Sequence, residues 1–374
     1  MKSPRGRVSR FAASLVMIAF PAFVQAGTMY DVTNLGNLQD SSATAVAIAG
    51  GTVVGYAIDA QGNQIAAYSN GGALMPLGFQ GQANGVNSSG EIVGNAGNQG
   101  FTWQSGVTTQ LGSLGGGTSA ATGINSSGEV VGGATNTDGQ TIAVIFSNGM
   151  IQSLGTLGGK FSTAYGVNNA GQIAGTSQTP SGAMAAFLWN GQAMQNLETL
   201  GGYSSYGAGI DASGQVVGSS QTTLGYLHAF LWTAGSMQDL GTLGGSNSFG
   251  LGVNDNGSVV GYSLTQGNTA THAFLYVNGV MTDLNSLLPI GSGWTITSAY
   301  GIDNSGDIVG TGLLNGVEYA VELIDPPSGP NQQTLQSPVA TPEPITALLL
   351  GGGLVAAGVL FRRRRRGIAS ERQP

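Results

Sequence analysis

The sequence predicts an all-β protein, a seven-bladed β-propeller built from units of about 43 residues. Three observations point there. First, one motif, Gly-Val-Asn-Ser-Ser-Gly-Glu-Ile-Val-Gly at Gly85, returns as GINSSGEVVG at Gly123, GVNNAGQIAG at Gly166 and GIDASGQVVG at Gly209. It returns again as GVNDNGSVVG at Gly252 and GIDNSGDIVG at Gly301, and a degenerate first copy closes at Val53-Val54-Gly55. The closing glycines are 39, 38, 43, 43, 43 and 49 residues apart, the period of a four-stranded blade. Second, no segment of this body keeps helical periodicity for three turns. Third, the two ends of the body are complementary half-units, which a closed ring needs.

The elements follow in chain order. Residues 1–26 read as a signal peptide: Lys2, Arg5, Arg7 and Arg10 precede a short apolar core, Phe11 to Phe23, and Val24-Gln25-Ala26 fits a cleavage site. The repeat body occupies 27–325. In each unit a first strand ends in Gly-Val-Asn, and Asn/Asp-x-x-Gly makes the turn, because Asx side chains cap turns and Gly accepts positive φ. Glu-Ile-Val-Gly opens a second strand. A third is apolar and aromatic, as in His228-Ala229-Phe230-Leu231-Trp232, and a fourth runs through Met237 to Leu240. Leu-Gly-Thr-Leu-Gly-Gly links to the next unit at Leu154 and Leu240.

Met29 to Gly36 has the pattern of a fourth strand with no third before it, and Val317 to Asp325 that of a third with no fourth after it. The N-terminal strand is therefore expected to complete the last blade. A stacked solenoid would instead want distinct caps at its two ends.

A Pro/Ser/Gln-rich linker spans 326–341. The segment 342–366 then holds Pro342-Glu343-Pro344, an uncharged run from Ile345 to Phe361, and Arg362, Arg363, Arg364, Arg365 and Arg366. That run of 17 residues is at the lower edge of a spanning helix, so one C-terminal transmembrane helix is expected, with the arginines as its cytoplasmic stop.

Charge is unevenly spread. Between Gly27 and Thr341 stand 16 acidic residues and one basic residue, Lys160, which gives that stretch about −15. An acidic, lysine-poor surface repels phosphate backbones and excludes nucleic acid as a partner. The chain has no cysteine, so it has neither disulfides nor thiol chemistry.

The candidate chemistry is sparse. Aligned across units, the His228 position reads Gln64, Gln99, Ile142, Ala185, His228, His272 and Tyr319, the variation of a packing or rim position. The turns around Asp255, Asp303 and Asp307 are oxygen-rich and are the candidate calcium positions; hairpin geometry alone also explains their residues. The acids are spread singly, and the body has no arginine, so no paired carboxylates of a glycan-cleaving enzyme are evident. Asn285 to Ser298 is the least repetitive segment, and Trp294 within it could stack on a sugar ring or plug the rim.

Two resemblances accompany these residues. The tail, with its Pro-Glu-Pro motif, apolar run and arginine cluster in order, resembles the PEP-CTERM sorting signal of exosortase substrates. That implies cleavage near Pro342 to Pro344 by an exosortase-type enzyme, and a Gram-negative, exopolysaccharide-producing, biofilm-forming cell. The body resembles the HAF repeat family, named for the triplet at His228-Ala229-Phe230 and His272-Ala273-Phe274, and the likeness extends through the LGTLGG segments. It implies an extracellular repeat protein without an assigned activity.

Together these readings anticipate an exported protein, first anchored by its C-terminal span and finally at the surface, in the periplasm or in the matrix. They anticipate a non-catalytic interaction module for exopolysaccharide or an envelope protein, monomeric, without a cofactor and not an enzyme. A matrix-glycan enzyme and a calcium-stabilised adhesin are the alternatives.

Overall fold

Six of the repeats each fold into one antiparallel sheet whose four strands follow chain order. The unit beginning at Gly201 shows why. Its first strand, Gly201–Ile210, turns at Asp211 to Gly214 into the second, Val216–Thr222. The third, Leu227–Thr233, and the fourth, Ser236–Asp239, complete the sheet. The third strand is apolar on both faces because both faces are covered. Phe230 packs with Ala186 and Leu197 of the preceding blade, and Leu231 with Val259 of the following one. Seven such clusters, each shared by two neighbouring sheets, form the core. A fully buried phenylalanine in this position contributes about 1.5–3 kcal/mol.

The computed structural model describes residues 29–36 and 42–326, and over them the protein is an all-β propeller of seven four-stranded blades. The expected signal peptide, most of the 326–341 linker, the Pro-Glu-Pro motif, the 345–361 run and the arginine cluster lie outside the described residues. We number the blades by their first strands: Ala43–Ala49, Gln82–Val86, Gly115–Ile124, Ser162–Val167, Gly201–Ile210, Gly244–Val253 and Trp294–Ile302. These strands contact one another in a closed cycle and line a central channel.

The recurring closing glycine has a steric cause. A Cβ at Gly218 would collide with the carbonyl oxygen of Tyr206 on the paired strand and approach the Phe230 ring to 2.8 Å. The corresponding collision recurs at Gly55, Gly94, Gly132, Gly175, Gly261 and Gly310.

The ring closes as the half-units anticipate. Asp31–Gly36 pairs antiparallel with Val317–Ile324, from Asp31 opposite Ile324 to Asn34 opposite Val321 and, past a bulge at Leu35, Gly36 opposite Ala320, and becomes the fourth strand of blade 7. Leu35 on it is fully buried, and the Tyr30 amide donates to the Leu287 carbonyl at 2.9 Å.

The anchored localisation needs correction. Among the described residues no helix is long and apolar enough to cross a membrane, because apolar residues there are dealt out over short strands and the helical turns are two brief 3-10 segments. Membrane anchoring therefore has no support from the structure.

Candidate functional site

The channel is where the repeat stops being uniform. In every blade the pairing of first and second strands skips one residue, a β-bulge that bends the strand and re-aims the extra side chain. The skipped residues are Val46, Asn84, Thr122, Tyr165, Ala208, Leu251 and Tyr300. All seven line one chamber of about 810 Å³ at one end of the channel. The residue before each bulge is Ala or Gly and the residue after it is Gly, or Ala47 in blade 1. Small neighbours are needed because the inner strands crowd together: a Cβ at Gly123 would lie 2.7 Å from the Tyr165 carbonyl oxygen of the next blade. A constant, small frame thus presents one variable side chain per blade.

The chamber is lopsided. Blades 4 to 7 contribute Phe161, Tyr165, Tyr206, Phe249 and Tyr300, with Phe249 stacked on Tyr262 at 4.7 Å. Blades 1 to 3 contribute Val46, Asn84 and Thr122. Asn84 Nδ2 donates to the Ala121 carbonyl and Thr122 Oγ1 to the Ala164 carbonyl, so both are committed to inter-blade bonds. Tyr165 stays 40% exposed to the channel, yet burial among the walls raises its hydroxyl pKa; burial, first among several causes, does the same at Tyr300.

Beyond the bulges, Ile48, Val86, Ile124, Val167, Ile210, Val253 and Ile302 form a β-branched neck shared by this chamber and a polar vestibule of about 670 Å³. The vestibule wall is an amide belt. Asn87 Nδ2 donates to the Asn125 carbonyl, Asn125 to Asn168, and Asn168 to Asp211, at 3.0–3.2 Å. Asn254 donates to Asp303 at 2.8 Å. The other amide atom of each closes its own turn, as Asn168 Oδ1 does by accepting from the Ala170 and Gln172 amides. Asparagine suits the slot because it carries an acceptor for the turn and a donor for the next blade.

The acidic turn residues singled out for calcium serve this wall. Asp303 Oδ1 accepts from the Ser305 and Asp307 amides, and Asp255 accepts from the Ala212 amide and Asn304 Nδ2. Asp307 Oδ1 accepts from the Asp325 amide. Among the described residues no three His, Cys, Asp or Glu side chains converge as a metal would require. Asp307, Glu322, Asp325 and Tyr30 do gather at the ring closure. Burial first, then neighbouring carboxylates, pushes all three carboxyl pKa values up, with an amide bond from Asp325 partly opposing this at Asp307. Burial, then Asp325 and Asp307, raises the Tyr30 hydroxyl as well.

Trp294 opens the first strand of blade 7 and packs edge-on against Tyr319 at 5.8 Å, half-buried against the core. The two histidines are not brought onto one ion; each pairs with an aspartate on its own fourth strand. His228 Nδ1 lies 2.9 Å from Asp239 and His272 Nδ1 2.6 Å from Asp283. The strand register also replaces Gln64 by Ile65 in the histidine slot, since Ala67, two residues on, is opposite Gly55 as Phe230 is opposite Gly218. The paired fourth-strand slot reads Pro76, Gln110, Ser153, Asn196, Asp239, Asp283 and Asn34. Aspartate stands there only in the two blades that carry histidine.

No family model matches the chain, and no curated protein matches it. Solved structures do. A puromycin-hydrolysing peptidase of Mycobacterium tuberculosis matches with TM-score 0.54 and 13% identity over 77% of this chain and 51% of its own. A puromycin hydrolase S511A mutant complexed with PGG matches with TM-score 0.55 and 13% identity, over 76% and 52%. This chain thus spans about half the length of those two. The β-propeller domain of the trilobed protease from Pyrococcus furiosus, described as having an open velcro topology, matches with TM-score 0.50 and 9% identity, over 76% and 96%. These likenesses show a shared propeller fold. Since peptidases carry that fold, the propeller does not mark a non-catalytic protein. The expectation of a non-catalytic interaction module that is not an enzyme is accordingly withdrawn.

Proposed function

We propose that the central channel is the binding site of a small organic ligand with apolar or aromatic groups, and that short peptides are its first substrate class. The observation that carries the reading is the seven-fold bulge. Within a small Ala/Gly frame each blade varies the side chain that the bulge aims into the chamber, and blades 5 and 6 add Tyr206 and Phe249 two residues upstream of it. Apolar chambers with a few polar groups are the usual form of small-molecule sites. Tyr165, Tyr300 and Leu251 are the contact residues, and the names of the peptidases sharing the fold suggest the peptide class. The test is calorimetric titration with tripeptides bearing Phe or Tyr, against matched Gly peptides. Saturable binding of the aromatic set, lost in Tyr165→Ala/Tyr300→Ala, is expected; equal, unsaturable heats for both sets would overturn the reading.

A second reading, hydrolysis, rests on the His228–Asp239 and His272–Asp283 pairs, which stand on the third and fourth strands and do not line the chamber. A carboxylate on Nδ1 fixes the imidazole and leaves Nε2 to take a proton from water, as a general base does. Mass analysis of peptides incubated with the protein would show products gained by one water. Their persistence in H228A/H272A would exclude the pairs.

We also propose that the chain is an HAF-type repeat protein with a PEP-CTERM-type tail, processed after residue 26 by a signal peptidase and near Pro342-Glu343-Pro344 by an exosortase-type enzyme. The support is the order of motifs in the sequence. Intact mass of the protein from its native cells tests it; an uncut chain of 374 residues would refute it.

A further inference from the structure

The amide belt lacks its side-chain NH2 at Ala49, Asp211 and Asp303, and at Asp211 the break leaves a buried atom unpaired. Asp211 occupies the belt slot of blade 5 and is 3% exposed. Its Oδ1 does what the belt asparagines do, accepting from the Ser213 and Gln215 amides at 2.9 and 2.8 Å. Its Oδ2 is fully buried and has no hydrogen-bond partner among the described residues. The flanking blades show what this atom faces. Asn168 Nδ2 donates both to Gln172 Oε1 at 2.9 Å, four residues on, and to the next blade's Asp211 carbonyl at 3.0 Å. Asn125 Nδ2 does the same with Glu129 and Asn168. In blade 5 the equivalents are Gln215 and the Asn254 carbonyl. Gln215 spends its Nε2 on Thr233 Oγ1 at 2.9 Å, which leaves its oxygen as the free end of the amide. By analogy with those blades, a carboxylate oxygen, an amide oxygen and a backbone carbonyl face the place where blades 2, 3, 4 and 6 put an NH2 donor.

The Asn254 carbonyl accepts from the Gly257 amide at 2.9 Å and keeps one lone pair free, but the buried Asp211 Oδ2 has no donor at all, which is costly unless something positive joins it. Oxygen-only ligation suits a hard cation, which takes carboxylate, amide and carbonyl oxygens alike. The site opens toward the vestibule, whose rim on this side carries Asp255 and Asp303, so the local field favours entry of a cation. Blades 2 to 4 line the same vestibule with Asn87, Asn125 and Asn168.

We propose that Asp211 Oδ2, Gln215 Oε1 and the Asn254 carbonyl form a hard-cation site that bridges blades 5 and 6 in place of the missing amide bond. It is separate from the turns around Asp303 and Asp307, whose acceptors are already committed to backbone amides. The cation completes the belt, so it binds the closed ring and stabilises it by mass action.

The test is the melting temperature of the full chain at constant ionic strength. Calcium, sodium or potassium chloride is compared with tetramethylammonium chloride, whose cation is too large for the site. Wild type is expected to melt a few degrees higher in one of the inorganic salts, with Tm rising as the logarithm of its concentration. A response at micromolar to millimolar calcium identifies a divalent ion, and one needing tens of millimolar sodium or potassium a monovalent one. Asp211→Asn restores the donor, so it should melt above wild type in tetramethylammonium and lose the cation response. Asp303→Asn should keep the response. Identical melting of wild type in all salts would overturn the proposal, and so would a response that survives in D211N.

Discussion

The two ends of the channel are made by the same seven strands, yet the repeat treats them in opposite ways. At the vestibule the slot is asparagine in blades 2, 3, 4 and 6, its side chain there is buried, and each of those amides ties one blade to the next. At the chamber, three residues upstream, the bulge residue varies from Ala208 to Tyr300: Asn84 and Thr122 bond to the next blade, while Tyr165, Leu251 and Tyr300 line the open space. A position that holds the ring together cannot be varied without leaving a buried polar group unpaired. A position that only faces the channel can. The contrast separates the parts of each blade that carry stability from those free to carry recognition.

The most severe way to break this contrast is to open the ring. Deleting residues 29–36 removes the fourth strand of blade 7 and uncovers the core around Leu35. A loss of several kcal/mol is expected, since burying Leu35 alone is worth about 1.5–3 kcal/mol. Calorimetry should show the largest fall in Tm of any variant here, with peptide binding lost too; an unchanged Tm would mean that closure does not hold the blades.

Asn168→Ala should act on stability alone. It leaves the Ala170 and Gln172 amides without their acceptor and removes the inter-blade bond to the Asp211 carbonyl, at a cost of about 1–3 kcal/mol. Denaturant melts would register this, while peptide affinity of the folded protein should match wild type. Tyr165→Ala is the converse. Its Tm should stay close to wild type while affinity for aromatic peptides falls about tenfold, roughly 1.4 kcal/mol. If both variants moved both readouts, the division between the two ends would not stand.

The smallest effect expected is that of pH. Asp307, Glu322 and Asp325 have carboxyl pKa values raised in the folded protein, so their contribution is complete below the unfolded values near 4 and is lost as pH rises through the folded ones. Tm should therefore climb modestly from pH 7 down toward the carboxylate range. Asp59, a turn residue with its pKa lowered chiefly by the Asn63 side chain, works in the opposite direction. Glu322→Gln should raise Tm at pH 7 and flatten the slope; a slope unchanged in that variant would assign it to other groups.

Much of the fold was legible because the motif states its own geometry. Asn-x-x-Gly gives the turn, the closing glycine the close strand pair, and the unpaired halves at Met29 and Val317 the ring closure. Less of the site was legible. Tyr165 and Tyr300 sit between small residues, and only the strand register reveals that the chain bulges there. The signal available was that one residue inside an otherwise constant Ala/Gly-x-Gly frame changes freely. Asp211 looked like an ordinary turn residue because aspartate and asparagine cap a turn equally well. The difference between them lies in an atom aimed at another blade. The histidine slot reads as a packing or rim position in the sequence, and only the strand pairing shows that each histidine's aspartate, 11 residues on, stands beside it in the same blade.

The pairing of Asp31 with Ile324 also sets a clock on synthesis. The first strand of the ring leaves the ribosome with no neighbour to join, and its partner is made 293 residues later, at the end of the repeat body. At the usual 5–20 residues per second this is an interval of about 15–60 s. Six blades can assemble from contiguous chain in that time, each on the one before. The strand around Leu35 must meanwhile remain solvated and unpaired, so the last step of folding is a single long-range capture whose rate depends on how well that strand avoids other partners.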